Sequence, residues 1–335
     1  MIPKSFRIEF LARRRTFMTL LGGATAWPLA ARAQPAAGTL RVGTVALAQR
    51  TAPIWVAFEQ RLAELGYEEG RNFAFEFIQI PSFEGYEAGF RELVARKVDI
   101  IFHGGAELGL KWALKVTTTL PIVIVATDYD PLAHGYVTSL ARPSGNITGV
   151  FPQQIELARK RLQIFKEALP DLQTATMFWD ASSEDQWKAM SAAAEGFGLR
   201  LVGVELLGER PYDYEAALMQ APLDHRGALI TPTSPAFYRD RERLAELALR
   251  HRIASIFGFR EWVEAGGLLS YGSNLPAMFR RAADYVGRIA KGAKPADLPI
   301  EQPTKFELIL NLRTARAIGI TVSPMTLVRA DEVIE

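Results

Sequence analysis

The chain has 335 residues, 49% of them hydrophobic, enough to bury two ordinary cores where a single core rarely grows so large. Its formal charge of +2 is gathered at one end: residues 1–33 carry six basic residues and one acid, leaving 33 basic and 36 acidic residues elsewhere and a net of −3. That balance excludes an electrostatic footprint for nucleic acid, and the absence of cysteine excludes disulfides, thiolate metal sites, a cysteine nucleophile and a lipid-bearing cysteine.

In chain order, residues 1–33 read as an export signal peptide. Arg14-Arg15-Thr16-Phe17-Met18 resembles the twin-arginine pattern, although Arg13 stands where that signal prefers Ser or Thr. An uncharged run follows from Thr19, and Ala31-Arg32-Ala33 is the small-x-small end that a signal peptidase needs. The expectation is a mature chain beginning near Gln34 in the periplasm, with the twin-arginine route favoured over the general one. The run is interrupted by Gly22, Gly23 and Pro28 and is too short for a bilayer core of about 30 Å, so no membrane anchor is expected.

From Thr39 short apolar runs alternate with amphipathic stretches, the signature of βα units around a parallel sheet. Residues 39–47 read as a strand. Residues 53–65 place Trp55, Phe58, Leu62 and Leu65 on one helical face and stop at Gly66. A strand over 72–80 alternates Phe73, Phe75 and Phe77; a helix over 84–97, a strand over 99–102, a helix over 107–116 and an apolar strand over 121–126 complete one doubly wound sheet. The same grammar restarts as a helix over 153–169, a strand over 175–179, a helix over 184–197, strands over 200–206 and 228–231, and a helix over 237–250. Two α/β lobes follow. Turn-rich stretches at 141–150, 268–274 and 297–304 read as three crossings of a hinge. They set an N-terminal lobe at 39–147 plus 273–297 and a C-terminal lobe at 148–272 plus 298–335.

Several strings carry a resemblance that covers nearly the whole mature chain. Leu65-Gly66-Tyr67-Glu68-Glu69-Gly70-Arg71-Asn72, Ser139-Leu140-Ala141-Arg142-Pro143-Ser144-Gly145-Asn146 and Arg260-Glu261-Trp262-Val263-Glu264-Ala265-Gly266-Gly267 are similar to ABC transporter substrate-binding proteins of the tryptophan/tyrosine type. So are Gln302-Pro303-Thr304-Lys305-Phe306 and Arg329-Ala330-Asp331-Glu332. The resemblance implies a type I periplasmic-binding fold: two Rossmann-like lobes with parallel sheets, a three-crossing hinge, and a ligand clamped in the cleft without being transformed. It implies a small-molecule ligand, an ABC permease with its ATPase in the inner membrane as partners, and no cofactor. A periplasmic sensor serving a membrane receptor or kinase is the alternative on the same fold.

Enzyme signatures are missing from the residues themselves. There is no G-x-S-x-G elbow, P-loop or H-E-x-x-H, the glycines of Gly104-Gly105-Ala106-Glu107-Leu108-Gly109 have the wrong spacing for a dinucleotide, and His103, His134, His225 and His251 form no metal-ligand spacing. Neither a metal nor catalysis is expected.

Ligands of open α/β sheets sit beyond the carboxyl ends of the strands, near helix starts. In the first lobe this selects Gln49, the turn Gly104-Gly105-Ala106, and Asp128. The glycines admit close approach or merely close a tight turn, and Ala106 stands where the resembled proteins usually carry Ser or Thr. Asp130 reads as a helix cap ahead of Pro131. In the second lobe it selects Asp180, Ser234 in place of the relatives' Asp, Phe259, Arg260 and Tyr271. Arg260 is open between a ligand carboxylate and a structural pair with Glu261 or Glu264, while Phe259 and Tyr271 favour an aromatic amino acid or another flat aromatic acid.

Overall fold

The β-branched and aromatic runs form twelve strands in two sheets in the computed structural model, which describes residues 38–208, 210–221 and 227–335. The expected signal peptide and His225 lie outside the described residues. The first sheet contains β1 (Leu40–Ala46), β2 (Phe73–Gln79), β3 (Ile100–Gly105), β4 (Ile122–Ala126) and β5 (Ile147–Val150) in the order β2-β1-β3-β4-β5, all parallel. Every residue of β4 has 0% exposure, which is why this strand reads as one continuous apolar run: helices cover both faces.

The second sheet repeats this plan. Strands β6 (Thr174–Trp179), β7 (Arg200–Glu205), β8 (Ala228–Ile230), β9 (Ala254–Phe257) and β10 (Leu269–Gly272) take the order β7-β6-β8-β9-β10 and are parallel. To them are added β11 (Glu307–Asn311), antiparallel to β10, and β12 (Glu332–Ile334). Two Rossmann-like lobes result.

The chain passes between them three times, at 151–153, 273–274 and 302–306, and these passages form the hinge. The first comes later than expected. Ile147, Thr148 and Val150 are β-branched and pair with β4, so residues 147–150 extend the first sheet. Gly149 permits that pairing: at φ +144°, an added Cβ would lie 2.1 Å from the Ile124 carbonyl oxygen.

The helix Leu275–Ala290 returns to the first sheet after the second passage. Asn274 Oδ1 accepts from the Ala277 N–H at 2.9 Å, satisfying one free amide of its first turn. The helix buries Leu275, Met278, Phe279, Ala282, Ala283 and Val286, and an Arg61–Asp284 pair at 2.8 Å ties it to the helix Pro53–Glu64. Each large apolar side chain buried this way contributes about 1.5–3 kcal/mol. Among the described residues, no helix is long and apolar enough to cross a membrane.

Candidate functional site

The carboxyl ends of both sheets face one cleft. At its centre is a cavity of about 30 Å³ lined mainly by apolar groups. The first lobe supplies Ala46 to Ala48 at the exit of β1, Gly104 on β3, Thr127 after β4, and the rings of Trp55 and Tyr86. The second supplies Ser234, Pro235, Tyr238 and Phe259 beyond β8 and β9; Leu275 and Phe279 close the hinge side.

Packing explains this shape. Trp55 and Phe279 meet edge to face with centroids 5.0 Å apart, and Phe102 meets Phe279 at 5.2 Å. A Cβ on Gly104 would lie 2.5 Å from the Phe279 ring, so glycine is needed for that ring to form the floor. Opposite, Trp262 supports both Tyr238, at 5.4 Å, and Phe259, at 6.0 Å. Ser234 Oγ accepts from the Phe237 N–H at 3.4 Å and starts the short helix Pro235–Arg239 that carries Tyr238.

Two polar atoms of this aromatic chamber have no hydrogen-bond partner among the described residues: Trp55 Nε1 and the Tyr238 hydroxyl. Burial, with nearby Glu261, pushes the Tyr238 hydroxyl pKa up, so it stays protonated and available as a donor. A volume of about 30 Å³ is the share of one water, whereas a benzene-sized cavity is about 150 Å³. The cavity as it stands is too small for an organic ligand.

Beside this chamber lies an acidic one of about 380 Å³, whose lining includes Glu107, Asp128, His134, Glu184, Asp185 and Arg210. Asp128 is 5% exposed. Its Oδ1 accepts from the Glu107 N–H at 2.9 Å and caps the helix Glu107–Val116, while its Oδ2 has no partner among the described residues. Burial raises the Asp128 pKa well above the carboxylate range; the charges of Asp180 and Glu107 add to the rise, and the Glu107 N–H opposes it. For Glu107, burial is outweighed by bonds from Lys111, Tyr136 and His134, so its carboxyl is lowered and stays ionised.

The lobes meet across the cleft through Arg239 Nη1 on the Pro81 carbonyl at 2.9 Å, His134 Nε2 at 3.6 Å from Asp185 Oδ2, and the Arg210 guanidinium 4.0 Å above the Phe83 ring.

Of the residues expected at the site, Gly104, Ser234 and Phe259 line the aromatic chamber and Asp128 the acidic one. Gln49 lies at another opening of the cleft with Thr51, Gln79 and Arg241. Gly105 and Ala106 sit behind the wall: the Gly105 carbonyl accepts from Thr127 Oγ1 at 3.1 Å, and the Ala106 carbonyl lies 2.8 Å from His103 Nε2. Burial lowers the His103 pKa to about 4, so its ring is neutral packing between Tyr86, Phe90 and Gly109.

Three of the expected residues are engaged elsewhere. Asp180 is consumed by its own turn and by Arg210, with Ser182 Oγ at 2.7 Å and the Tyr212 hydroxyl at 3.2 Å. Arg260 points outward, held by Glu264 at 2.9 Å, Glu332 at 2.7 Å and Glu307 at 3.5 Å, because β11 and β12 add carboxylates that its own neighbourhood in sequence does not show. Tyr271 lies on the sheet face away from the chamber, packed on Phe306 at 6.1 Å.

Trp55, Tyr86, Tyr238 and Phe279 were not expected as site residues. Trp55 and Tyr238 share a signal that would have found them: each is an aromatic residue in the first turn of a helix that follows a strand exit. Among the described residues, no cluster of His, Asp or Glu is placed to hold a metal ion.

Residues 53–334 match the family model described as ABC transporter substrate binding protein. A tyrosine-binding protein of Clostridioides difficile is 21% identical over 270 residues, 78% of this chain and 75% of its own length. Among solved structures, a conserved domain protein of Vibrio cholerae has a TM-score of 0.78 at 21% identity, covering 88% of this chain and 99% of its own. The ABC domain from Streptococcus pneumonia in complex with L-Trp has a TM-score of 0.77 at 21% identity, covering 89% and 100%. These likenesses establish a type I periplasmic-binding fold.

Proposed function

We propose, from the premise that this chain belongs to the ABC transporter substrate-binding protein family, that it captures a flat aromatic solute between its lobes in the periplasm and presents it to an ABC permease and its ATPase. The family is one of binding proteins and not of enzymes. The observation that carries the ligand class is the central chamber, where Trp55, Tyr86, Tyr238, Phe259 and Phe279 converge from both lobes with two unpaired polar atoms among them. Aromatic faces gain roughly 0.5–1.5 kcal/mol beyond burial from a ring at 4.5–7 Å, and a free indole N–H and phenol O–H supply direction. An aromatic amino acid or a flat aromatic acid suits this lining. The tyrosine and tryptophan partners of the relatives point the same way.

Capture works by closure. The lobes part about the three passages at 151–153, 273–274 and 302–306, admit the solute and close over it. Export by the twin-arginine leader, with cleavage near Gln34, brings the chain to the periplasm.

A calorimetric screen of aromatic amino acids, aromatic carboxylates, branched aliphatic acids, sugars and polyamines tests the ligand class, with small-angle scattering on the best binder. Aromatic compounds bind and the ligand-bound particle is the more compact. Binding confined to sugars or polyamines contradicts the reading, as does an identical scattering profile with and without saturating ligand.

A further inference from the structure

The cleft holds more than aromatic rings. The acidic chamber adjoins the aromatic one along the chain: Thr127 lines the first and Asp128 the second, and Tyr86 and Phe83 are divided in the same way. Its acidic side chains are Glu107, Asp128, Glu184 and Asp185, and its basic side chains are Arg210 and His134. Arg210 is committed to Asp180. His134 is shared between Glu107, at 2.5 Å, and Asp185, and Glu107 is also held by Lys111 at 2.8 Å. Asp128 differs from the rest. It is buried, one oxygen caps a helix, and the other has no partner among the described residues.

That arrangement decides between ligand charges. The start of the helix Glu107–Val116 is where an anion would ordinarily rest, but the Glu107 N–H already serves Asp128 Oδ1. A ligand carboxylate there would meet a carboxylate, while an ammonium would give the free Oδ2 its missing donor.

We propose that the acidic chamber receives a protonated amine of the ligand, with Asp128 Oδ2 as its acceptor, so that this chain takes aromatic amines or aromatic amino acids and discriminates against aromatic carboxylates that lack an amine. The proposal rests on the aromatic cleft reading above and sharpens it. The groups facing Asp128 are Glu107, Asp180, Tyr86, Tyr129 and Tyr136, with His134 and Arg210 across the same chamber. Burial, with the charges of Asp180 and Glu107, raises the pKa of the Asp128 carboxyl well above the carboxylate range, so it holds a proton more tightly than an exposed carboxyl does. An arriving ammonium favours the ionised form, and a proton that the carboxyl holds passes to the buffer.

Three probes with one ring system test this on the full-length mature protein: tryptamine, L-tryptophan and indole-3-acetate, titrated calorimetrically in two buffers of different ionisation enthalpy. Tryptamine and L-tryptophan bind at least about tenfold more tightly than indole-3-acetate, and binding of the amines releases a proton that the buffer difference reports. Asp128→Asn keeps an acceptor for the Glu107 N–H, so the cap is retained; it weakens the amines about ten- to a hundredfold, the size of one charge-assisted hydrogen bond, and abolishes the proton release. Circular dichroism and the melting temperature verify that the variant is folded. Indole-3-acetate binding as tightly as tryptamine, or amine binding unchanged in Asp128→Asn, overturns the proposal and leaves the aromatic reading intact. Failure of all three probes alongside tight binding of a sugar overturns both.

Discussion

The two lobes share a strand order and differ in what they place at their strand ends. In β2-β1-β3-β4-β5 the exits bring backbone close, through Gly104, and bury a carboxylate, Asp128. In β7-β6-β8-β9-β10 the exits start short helices that present Ser234, Tyr238 and Phe259. One lobe sets a floor and a buried carboxyl, and the other supplies a facing wall of rings. A repeated architecture thus yields an asymmetric cleft, because the fold fixes where a strand ends and the individual residues after it fix the chemistry.

The strongest way to break the first lobe is at its floor. Phe279 is 1% exposed and supports Trp55, Phe102 and Gly104 together, so Phe279→Ala lowers stability by about 3–5 kcal/mol in urea unfolding. Gly104→Ala approaches the same ring from the other side; its Cβ, 2.5 Å from the ring, forces a shift costing about 1–3 kcal/mol and deforms the chamber, seen as a lower melting temperature and weaker aromatic binding.

Asp128 sharpens the comparison through pH. Its folded pKa lies well above the ordinary 3.8, chiefly from burial, so the unfolded chain ionises first as pH rises. The contribution of this group is therefore most favourable below about pH 4 and declines upward until the folded carboxyl titrates. Asp128→Asn removes that decline, so the difference in stability between the two proteins shifts in favour of the variant as pH rises toward neutrality. Unfolding curves of the two proteins from pH 4 to 8 converge at the acid end if the sign is right.

The smallest effect is expected on the outer side of the second lobe. Arg260→Ala breaks a partly exposed network with Glu264, Glu307 and Glu332, lowers stability by less than about 1 kcal/mol, and leaves ligand affinity unchanged.

Sequence periodicity exposed most of the fold because both sheets are buried runs flanked by amphipathic helices. It placed β1 to β4 within a few residues, and it identified the repeat that becomes the second lobe. It missed β5, where Gly145 and Gly149 look like turn residues although Gly149 serves close strand pairing. Residues that line the central cavity were legible where a strand exit sufficed, as for Gly104, Ser234 and Phe259. Arg260 takes the structural pair with Glu264 that was the second of its two readings, while Glu332 and Phe306, which complete the surroundings of Arg260 and Tyr271, come from the final segment of the chain, and nothing near those residues in sequence shows that β11 and β12 will cover that side. Phe279 was missed although residues 273–297 were assigned to the first lobe, because it lies a full turn into the helix Leu275–Ala290 and not at a strand exit.

The central claim is that the solute is held by rings facing the cleft and not by the polar cluster on the outside. Calorimetric titration of the tightest aromatic ligand into two paired variants, Tyr238→Ala with Phe259→Ala and Arg260→Ala with Tyr271→Ala, tests it directly. The account predicts a loss of affinity of at least about tenfold in the first pair and none in the second. An unchanged affinity in the first pair, or an equal loss in the second, would contradict it.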